Sequence, residues 1–319
     1  MPNDAPAANR VSFVTIDEGR HGQRLDNFLF THLKGVPKSR IYRIIRSGEV
    51  RVNKGRAKQT TRLATGDVVR IPPIRTSESD APPKVSDGLT ERLSRACVYE
   101  DDKLFIFNKP SGLAVHGGSG VSLGLIEALR VIYPEERELE LVHRLDRDTS
   151  GLIMVARRRA FLRKLQRLMQ GGKVEKRYWL ICQGFKGSER TLEAPLLKMQ
   201  NGNERIVRVS REGKPSVTHF RMIERLEDAQ LVEALLETGR THQIRVHGQF
   251  GGFPLLGDDK YGTAKGAALL DRIGHRRLCL HARSLTFPHP DSGKTVSVTA
   301  PVDEDFDAIL AALRKKKAQ

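Results

Sequence analysis

Two carboxylates and two guanidinium groups occur together in residues 143–151, which read His-Arg-Leu-Asp-Arg-Asp-Thr-Ser-Gly. The Thr-Ser-Gly end is typical of turns, so the segment is expected to be a loop between apolar elements. Asp146 lies between Arg144 and Arg147, and we expect these positive charges to keep its carboxylate ionised, as a nucleophile or a general base requires. Asp148 is interpreted as turn support that accepts hydrogen bonds from its own backbone.

Asp146 and Asp148 also have the spacing of a metal-ligand pair, which would suit a metal-dependent nuclease. The adjacent arginines oppose a divalent cation, and no third oxygen ligand lies nearby in the sequence. His242 and His247 raise the question of zinc, but no cysteine or third ligand accompanies them at a useful spacing. The sequence therefore predicts that no metal takes part.

Two further segments carry polar groups that suit a reactive site. In residues 238–247 a glycine interrupts a strand, and Thr241 is predicted to cap the helix that follows. Arg245 then lies about one turn into that helix. The string Glu-Lys-Arg-Tyr-Trp is expected to begin a strand that presents Tyr178 and Trp179 on opposite faces, so that one of the two is buried.

The elements that would hold these groups predict an α+β domain with a mainly antiparallel mixed sheet, because several strand patterns adjoin directly and helices fall between only some of them. The predicted strands are 104–108, 152–156, 178–183, 205–209, 217–224, 231–237 and 295–299. Helices are predicted at 122–133, with Ser122 as the cap, and at 158–170, before a Gly-Gly pair. A last helix is expected before the basic C-terminal tail.

Residues 20–75 form a separate and strongly basic segment, with 14 lysines and arginines against three acidic residues and a net charge of +11. Leucine and phenylalanine recur at helical spacing from Leu25 onward, which predicts a first helix. A second helix is predicted after Pro37, with isoleucines on one face and basic side chains on the others. Turn chemistry at 53–55 and a strand at 68–71 complete a small helix-helix-hairpin module.

The composition is that of a water-soluble protein with a large excess of positive charge. The chain of 319 residues has 55 Lys and Arg against 38 Asp and Glu, a formal net charge of +17. Such a charge attracts polyanions, and nucleic acid is favoured over an anionic membrane because the charge is spread over two folded segments. No apolar run approaches the roughly 18 residues that a membrane span requires. We expect a cytoplasmic protein with its three cysteines reduced.

These patterns divide the chain into four parts. Residues 1–19 are predicted to be a disordered tail, and 20–75 the basic module. A stretch rich in proline, serine and charge predicts an interdomain linker at 76–95. The larger α+β domain then occupies 96–319.

The basic module resembles the S4 RNA-binding domain. The resemblance rests on the Arg-Leu-Asp string at 24–26, the basic helix at 39–46, and the string Gly-Glu-Val-Arg-Val-Asn that begins at Gly48. It implies RNA contacts by Arg24, Lys38, Arg40, Arg43, Arg46 and Lys54. Asp26 is interpreted as structural, paired with basic neighbours.

The larger domain resembles the bacterial pseudouridine synthases that act on ribosomal and transfer RNA. The likeness is carried by the three polar strings described above, in that order, together with Lys-Pro-Ser-Gly from Lys109, and it covers roughly residues 98–300. Three shorter strings, which begin at Gly35, Arg205 and Glu212, are most similar to the branch of the family that modifies large-subunit ribosomal RNA.

The resemblance implies roles for matching positions. Asp146 would be the catalytic carboxylate, and Tyr178 would pack on the target base and help to remove its C5 proton. Arg245 would be the ion-pair partner of Asp146. Arg144 would fill the gap that the flipped base leaves in the RNA, with His143 beside it in substrate binding. No cofactor is implied.

The implied partner is large-subunit (23S) ribosomal RNA or its precursor particle, acted on by a monomer. Two alternatives stay open at this point. The protein could be a noncatalytic ribosome-assembly factor in which the positive charge and the S4 module do all the work, or it could act on transfer RNA or on other ribosomal sites.

Overall fold

The structure of the chain is a computed structural model that describes residues 10–33, 36–74, 85–117, 123–201 and 204–314. The chain separates into two compact units, an N-terminal unit of residues 1–84 and a C-terminal unit of residues 85–319. Within the described ranges, no helix has the length and apolarity needed to cross a membrane.

The N-terminal unit contains a four-stranded antiparallel sheet covered on one face by two helices. Its elements in chain order are β1 (Ser12–Thr15), α1 (Leu25–His32), α2 (Lys38–Arg46), β2 (Arg51–Val52), β3 (Gly55–Arg56) and β4 (Val68–Ile71). The strand order is β1-β4-β2-β3. The predicted helices and the strand at 68–71 are confirmed.

Local sequence explains the hairpin and the helix packing of this unit. Asn53 and Lys54 have positive φ angles of 48° and 67°, which is the backbone of a tight two-residue hairpin turn. The apolar stripes of α1 and α2 meet the inner face of β4 through side chains that are almost fully buried: Leu25, Phe28, Leu29, Ile41, Ile44, Ile45, Val69 and Ile71. Each such side chain stabilises the fold by about 1.5–3 kcal/mol.

The prediction of a disordered tail at 1–19 is wrong for its second half. Strand β1 pairs in antiparallel register with β4, from Ser12 opposite Ile71 to Thr15 opposite Val68. Ile16 follows it and is 1% exposed in the core. The four-residue strand is too short and too weakly apolar for its alternation to stand out in the sequence. Residues 1–9 lie outside the described ranges.

The C-terminal unit is an α+β domain, as predicted. Its strands are β5 (Cys97–Glu100), β6 (Leu104–Lys109), β7 (Glu140–Leu141), β8 (Ser150–Ala156), β9 (Glu175–Cys182), β10 (Glu189–Glu193), β11 (Leu196–Asn201), β12 (Glu204–Val209), β13 (Val217–Arg225), β14 (Gln230–Leu236), β15 (Leu280–Pro288) and β16 (Thr295–Thr299). Its helices are α3 (Asp87–Arg95), α4 (Leu125–Ile132), α5 (Arg159–Gln170), α6 (Gln243–Phe250), α7 (Ala264–Arg272) and α8 (Glu304–Leu313).

The main sheet of this unit has the described strand order β10-β13-β14-β9-β15-β8-β6-β5, with β16 on β15 and β7 on β8, while β11 and β12 form a separate hairpin. Its described pairings are antiparallel except that of β15 with β8, so the expected mixed and mainly antiparallel sheet is confirmed. Phe105 and Phe107 face one core and Leu104 and Ile106 the other, because side chains alternate along β6. We call the core that contains Phe105 and Phe107 the first core and the core that contains Leu104 and Ile106 the second core. Helix α5 covers the second core.

The parallel pair explains the glycine that ends the polar loop at 143–151. Gly151 has a φ of +105°, and a Cβ atom there would lie 2.3 Å from the carbonyl oxygen of Ala282 on β15. Any side chain would push β8 and β15 apart, so only glycine permits the loop to enter the sheet at this point.

Two element predictions need correction, and several elements were not predicted. The predicted linker at 76–95 ends in helix α3, which Ser86 caps by accepting a hydrogen bond from the N–H of Leu89. Helix α4 begins after Gly124, where the side chain of Glu127 accepts from the backbone N–H, and Ser122 lies outside the described residues. The strands β5, β7, β10, β11 and β15 and the helix α7 were not predicted.

Candidate active site

Asp146 lies in the predicted loop, between β7 and β8, at the edge of the first core. The neighbouring Leu145 is 8% exposed and anchors the loop in that core. The N–H of Thr149 donates to the carbonyl oxygen of Asp146 at 3.2 Å and closes a turn. The Asp146 side chain keeps 27% of its surface exposed, so its carboxylate is held by a fixed backbone and still open to solvent.

Lys109 holds this loop from inside the protein. Its ammonium is fully buried and donates to three backbone carbonyl oxygens, those of Pro110 and Leu113 at 2.8 Å and that of Arg147 at 2.9 Å. Ser111 adds a hydrogen bond of 2.7 Å to the carbonyl oxygen of Asp148. The strand end at Lys109 therefore fixes the two residues that follow Asp146.

Replacing Lys109 with methionine is expected to lower the free energy of unfolding by about 3 kcal/mol or more, because three carbonyl oxygens, each buried or partly buried at this contact, lose their donor. Chemical denaturation of the whole chain measures this. The matched control is Lys103→Met, an exposed lysine paired with Asp291, for which a change below about 1 kcal/mol is expected. Equal stability of the two variants would contradict a structural role for the buried ammonium.

Arg245 is the charged partner of Asp146, as the resemblance implies. It lies in the first turn of α6, is 5% exposed, and places Nη1 3.2 Å from Oδ2 of Asp146. Its remaining nitrogens form a bidentate pair with Asp258, with both hydrogen bonds at 2.7 Å, and Asp259 lies 3.2 Å from Nη2. Burial alone would lower the pKa of Arg245, but Asp258 and Asp146 together raise it above its ordinary value.

Asp258 is itself a fixed group. Its Oδ1 accepts hydrogen bonds from the backbone N–H groups of Lys260 and Tyr261, both at 3.0 Å. The guanidinium of Arg245 is therefore held in one plane by a carboxylate that the backbone orients. That leaves Nη1 directed at Asp146, so the geometry of the ion pair is built before any substrate arrives.

His242 lies near the same carboxylate oxygen as Arg245. Its Nε2 lies 3.8 Å from Oδ2 of Asp146, and its Nδ1 lies 2.8 Å from the hydroxyl of Tyr261. The Tyr261 hydroxyl accepts from the N–H of Val207 at 3.0 Å. Burial lowers the pKa of His242, although the negative charge of Asp146 opposes this shift.

The prediction that Thr241 caps the helix is wrong. The residue that precedes α6 is His242, with a φ of +55° and no side-chain capping hydrogen bond. A left-handed conformation costs free energy in a residue with a Cβ atom. It turns the histidine toward Asp146 and Tyr261 and away from the helix end.

The prediction that one of Tyr178 and Trp179 is buried is confirmed: Tyr178 has 8% of its surface exposed and packs in the first core. Trp179 faces the opposite side of β9, where the guanidinium of Arg283 lies 4.4 Å from its ring centroid. Burial, with a contribution from the negative charge of Asp146, raises the pKa of Tyr178. The phenol is therefore neutral at physiological pH.

The flanking arginines do not play the part expected of them. Arg147 pairs with Asp148 at 3.1 Å, and Arg144 is exposed. Among the described ion pairs, neither is the partner of Asp146, whose countercharge comes from Arg245, 99 positions away in the chain. Asp148 therefore supports the turn through its carbonyl oxygen and its arginine neighbour.

His143 completes the strand pairing next to the loop. Its Nε2 accepts from the backbone N–H of Met154 at 3.1 Å, and burial lowers its pKa to about 4. The ring is therefore neutral at physiological pH and is occupied by a structural hydrogen bond. A contact of His143 with substrate stays a prediction.

The cationic residues predicted to bind RNA in the N-terminal unit differ in their exposure and in their ion pairs. Arg43, Arg46 and Lys54 are exposed, and Arg40 is half-buried. Arg24 is bound to the buried Asp26 at 2.6 Å, which confirms the structural interpretation of that aspartate. The side chain of Lys38 lies outside the described set.

Open space borders the site. A cleft of about 1090 Å³ is lined in part by Arg147, Asp148 and Asp259, which are neighbours of the ion pair, although Asp146 is not in its wall. Such a volume accommodates a nucleotide. No group of three potential metal ligands occurs among the residues that the structure describes.

Asp258, Asp259 and Tyr261 were missed by the sequence analysis. They lie in the string Gly-Asp-Asp-Lys-Tyr-Gly at 257–262, where two glycines frame an acidic pair and an aromatic. That composition marks a polar turn, but no spacing rule connects it with a helix one loop earlier in the chain. The three cysteines are free, as predicted.

Comparison with known proteins decides the family. Residues 103–249 match the family described as RNA pseudouridylate synthase, and residues 23–69 match the S4 domain. The chain is 50% identical to proteins named ribosomal large subunit pseudouridine synthase C from Pasteurella multocida, over 97% of this chain and 95% of that protein, and from Haemophilus influenzae, over 99% of both. The chain belongs to the RNA pseudouridylate synthase family.

A solved structure supports the same assignment. The human RNA pseudouridylate synthase domain containing 4 superposes with a TM-score of 0.60 and 27% identity, over 71% of this chain and 95% of that one. The predicted family resemblance is thereby confirmed, for both the S4 domain and the larger domain.

Proposed function

We propose that this protein isomerises specific uridines of large-subunit ribosomal RNA to pseudouridine, with Asp146 as the catalytic carboxylate. The observation that supports Asp146 is its combination of partial exposure with a buried, preoriented arginine at 3.2 Å. The RNA target is supported by the names of the relatives, which are 50% identical to this chain over nearly their whole length.

The reaction breaks the C1′–N1 bond of uridine and forms a C1′–C5 bond. C5 loses a proton and N1 gains one, so the product is an isomer and the balance requires no redox cofactor. A carboxylate beside the sugar suits this chemistry, because it stabilises charge that develops at C1′, as in glycosidases. The same position also permits attack on the uracil ring or removal of a ribose proton.

The target base has to leave the RNA stack before it reaches Asp146. Flipping costs a few kcal/mol and is offset by stacking on an aromatic side chain. Tyr178 presents a ring at the site, and the exposed Arg144 precedes Asp146 by two positions and is free of any described ion pair. We assign Tyr178 to the base and Arg144 to the gap that the base leaves.

Replacing Tyr178 with phenylalanine is expected to slow pseudouridine formation by about 10²-fold or more while RNA affinity is unchanged, because the ring stays and only the hydroxyl that is proposed to help in removing the C5 proton is lost. Single-turnover rates at saturating enzyme measure this. Tyr99→Phe on β5, which loses a hydrogen bond to Asp101, is the control. A near-normal rate for the Tyr178 variant would show that only the ring matters.

Neutralising the basic face of α2 with glutamine at Lys38, Arg40, Arg43 and Arg46 is expected to weaken RNA binding and to reduce the slope of log affinity against log salt by about 3, at roughly 0.7–0.9 per lost phosphate contact. Binding titrations over a range of salt measure the slope. In the control, Lys103→Gln with Lys164→Gln, the two lysines share the single carboxylate of Asp291, so positive charge is removed outside α2. An unchanged slope would remove α2 from the RNA interface.

Pseudouridine mapping tests the function directly. In cells that lack the gene, specific pseudouridines should disappear from large-subunit ribosomal RNA and return with the wild-type protein. Loss from transfer RNA instead would reassign the substrate, and no change anywhere would favour the noncatalytic assembly factor. A metal-dependent nuclease predicts RNA cleavage that a chelator stops, whereas the isomerase is expected to work with chelator present.

A further inference from the structure

The sheet of the N-terminal unit places one residue from each strand in a single row. Phe13 on β1 pairs with Arg70 on β4, Arg70 pairs with Arg51 on β2, and Arg51 pairs with Arg56 on β3. Residues that are directly opposite in neighbouring strands point to the same face of a sheet. The row therefore crosses the whole sheet, over about 14 Å at the usual strand spacing.

This row lies on the outer face of the sheet. The residues next to it along the strands, Val14, Val52 and Val69, pack into the core beneath α1 and α2. Side chains alternate between faces along a strand, so the row faces away from both helices. Phe13 is 66% exposed, the largest exposed fraction among the large hydrophobic residues that the structure describes.

The three arginines of the row carry uncompensated charge. Arg51 donates to the carbonyl oxygen of Lys54 at 3.2 Å, Arg56 to that of Ser47 at 3.2 Å, and Arg70 to that of Glu49 at 2.6 Å. In the described part of the chain none of the three has an ion pair with a carboxylate. Neutral carbonyl groups thus orient the guanidiniums and leave their full charge for a ligand.

The row is distinct from the basic helix to which RNA contacts were assigned above. Helix α2 packs on the inner face of the sheet through Ile41, Ile44 and Ile45. Phe13 belongs to β1, which precedes the residues 23–69 that match the S4 domain. An added strand therefore supplies the aromatic end of the row.

We propose that the outer row of Phe13, Arg70, Arg51 and Arg56 is a binding platform for single-stranded RNA. An unpaired base stacks on the ring of Phe13, and the phosphates of adjoining nucleotides contact the arginines. Exposed aromatic rings beside a basic track are the usual means of holding unpaired nucleotides. The choice of RNA as occupant rests on the proposed function.

A protein partner fits the same surface less well. The buried centres of protein interfaces are depleted of charged residues, and covering three arginines that lack counterions would require matching carboxylates. Phosphates bring one negative charge per nucleotide, and guanidinium groups bind them through paired hydrogen bonds. The spacing of one cation per strand suits a chain of charges better than a compact apolar patch.

The test uses the full chain and a fluorescent oligoribonucleotide of adenosine and cytidine, which contains no uridine for the active site. Anisotropy titrations at several salt concentrations compare the wild type with Phe13→Ala and with the double variant Arg51→Gln and Arg70→Gln. Phe13→Ala is expected to weaken binding about tenfold with an unchanged salt slope, because stacking carries no charge. The double variant is expected to reduce the slope by about 1.4.

Matched controls separate the platform from general effects. Phe250→Ala removes a 59% exposed phenylalanine of the C-terminal unit, and Lys58→Gln with Arg62→Gln removes two exposed charges of the N-terminal unit outside the row. Thermal unfolding checks that each variant is folded.

Equal affinity of Phe13→Ala and Phe250→Ala would overturn the platform. The platform would also be overturned if the row variants bound RNA as tightly as the wild type but no longer bound a ribosomal protein that the wild type binds in purified precursor particles. Pseudouridine formation by the wild type is measured separately, so a failure of the proposed function is seen as an absent product and not as a change in oligonucleotide affinity.

Discussion

Replacing Asp146 with asparagine is expected to reduce the rate of pseudouridine formation by about 10⁴-fold or more, while the protein stays folded and binds RNA. Removal of the group that attacks or accepts a proton has effects of this size in other enzymes. The amide is nearly isosteric with the carboxylate, and Arg245 keeps Asp258 and Asp259 as counterions. The free energy of unfolding should therefore change by no more than about 1 kcal/mol, which single-turnover rates and denaturation together can show.

Asp148→Asn is the matched control for Asp146→Asn. It lies two positions away in the same loop, and its partner Arg147 is largely exposed. Its rate is expected to stay within about threefold of wild type, because exposed ion pairs contribute less than about 1 kcal/mol. Comparable losses in both variants would mean that the loop as a whole, and not the carboxylate of Asp146, limits the reaction. Pseudouridine made by Asp146→Ala in cells without the wild-type gene would refute the central assignment.

The elements that sequence reasoning placed well are those whose apolar residues recur with a regular period. Helix α5 and strand β16 agree with their predicted bounds to within one residue. Strand β15 was missed although it lies at the centre of the sheet. It pairs with β9 and β8 on its two sides and its polar residues interrupt the alternation, so its pattern resembles neither a helix nor a half-buried strand.

Sequence reasoning was limited in the same way at the candidate active site, where it predicted the residues better than their contacts. Asp146, Tyr178 and Arg245 were predicted as site residues because each lies in a distinctive string, and the structure brings Asp146 and Arg245 into an ion pair. The expected countercharge, supplied by the adjacent Arg144 and Arg147, was wrong because proximity in sequence says nothing about side-chain direction in a loop. The actual countercharge depends on a helix and a turn that the fold brings together over about a hundred residues. The contact between Asp146 and Arg245 therefore follows from the assembled fold and cannot be read from the sequence.

Replacing Arg245 with methionine is expected to be the most damaging change at the site in both stability and activity. Asp258 has a fully buried side chain and would lose its bidentate partner, and removal of one member of a buried pair costs about 3–5 kcal/mol. The carboxylate of Asp146 would lose its fixed countercharge as well. Denaturation and single-turnover rates measure the two losses separately. Arg221→Met, on an exposed arginine paired with Glu233, is the control and should cost less than about 1 kcal/mol.

A double variant separates the two roles of Arg245. Adding Asp258→Leu to Arg245→Met removes the unpaired buried charge, and a pair replaced by apolar side chains of similar volume is often as stable as the original. Stability should therefore recover in part, while activity should not, because the positive charge 3.2 Å from Asp146 is still absent. Recovery of both would show that Arg245 serves only to hold the 257–262 turn in place. Recovery of stability alone is the result that makes the ion pair with Asp146 a requirement of the reaction.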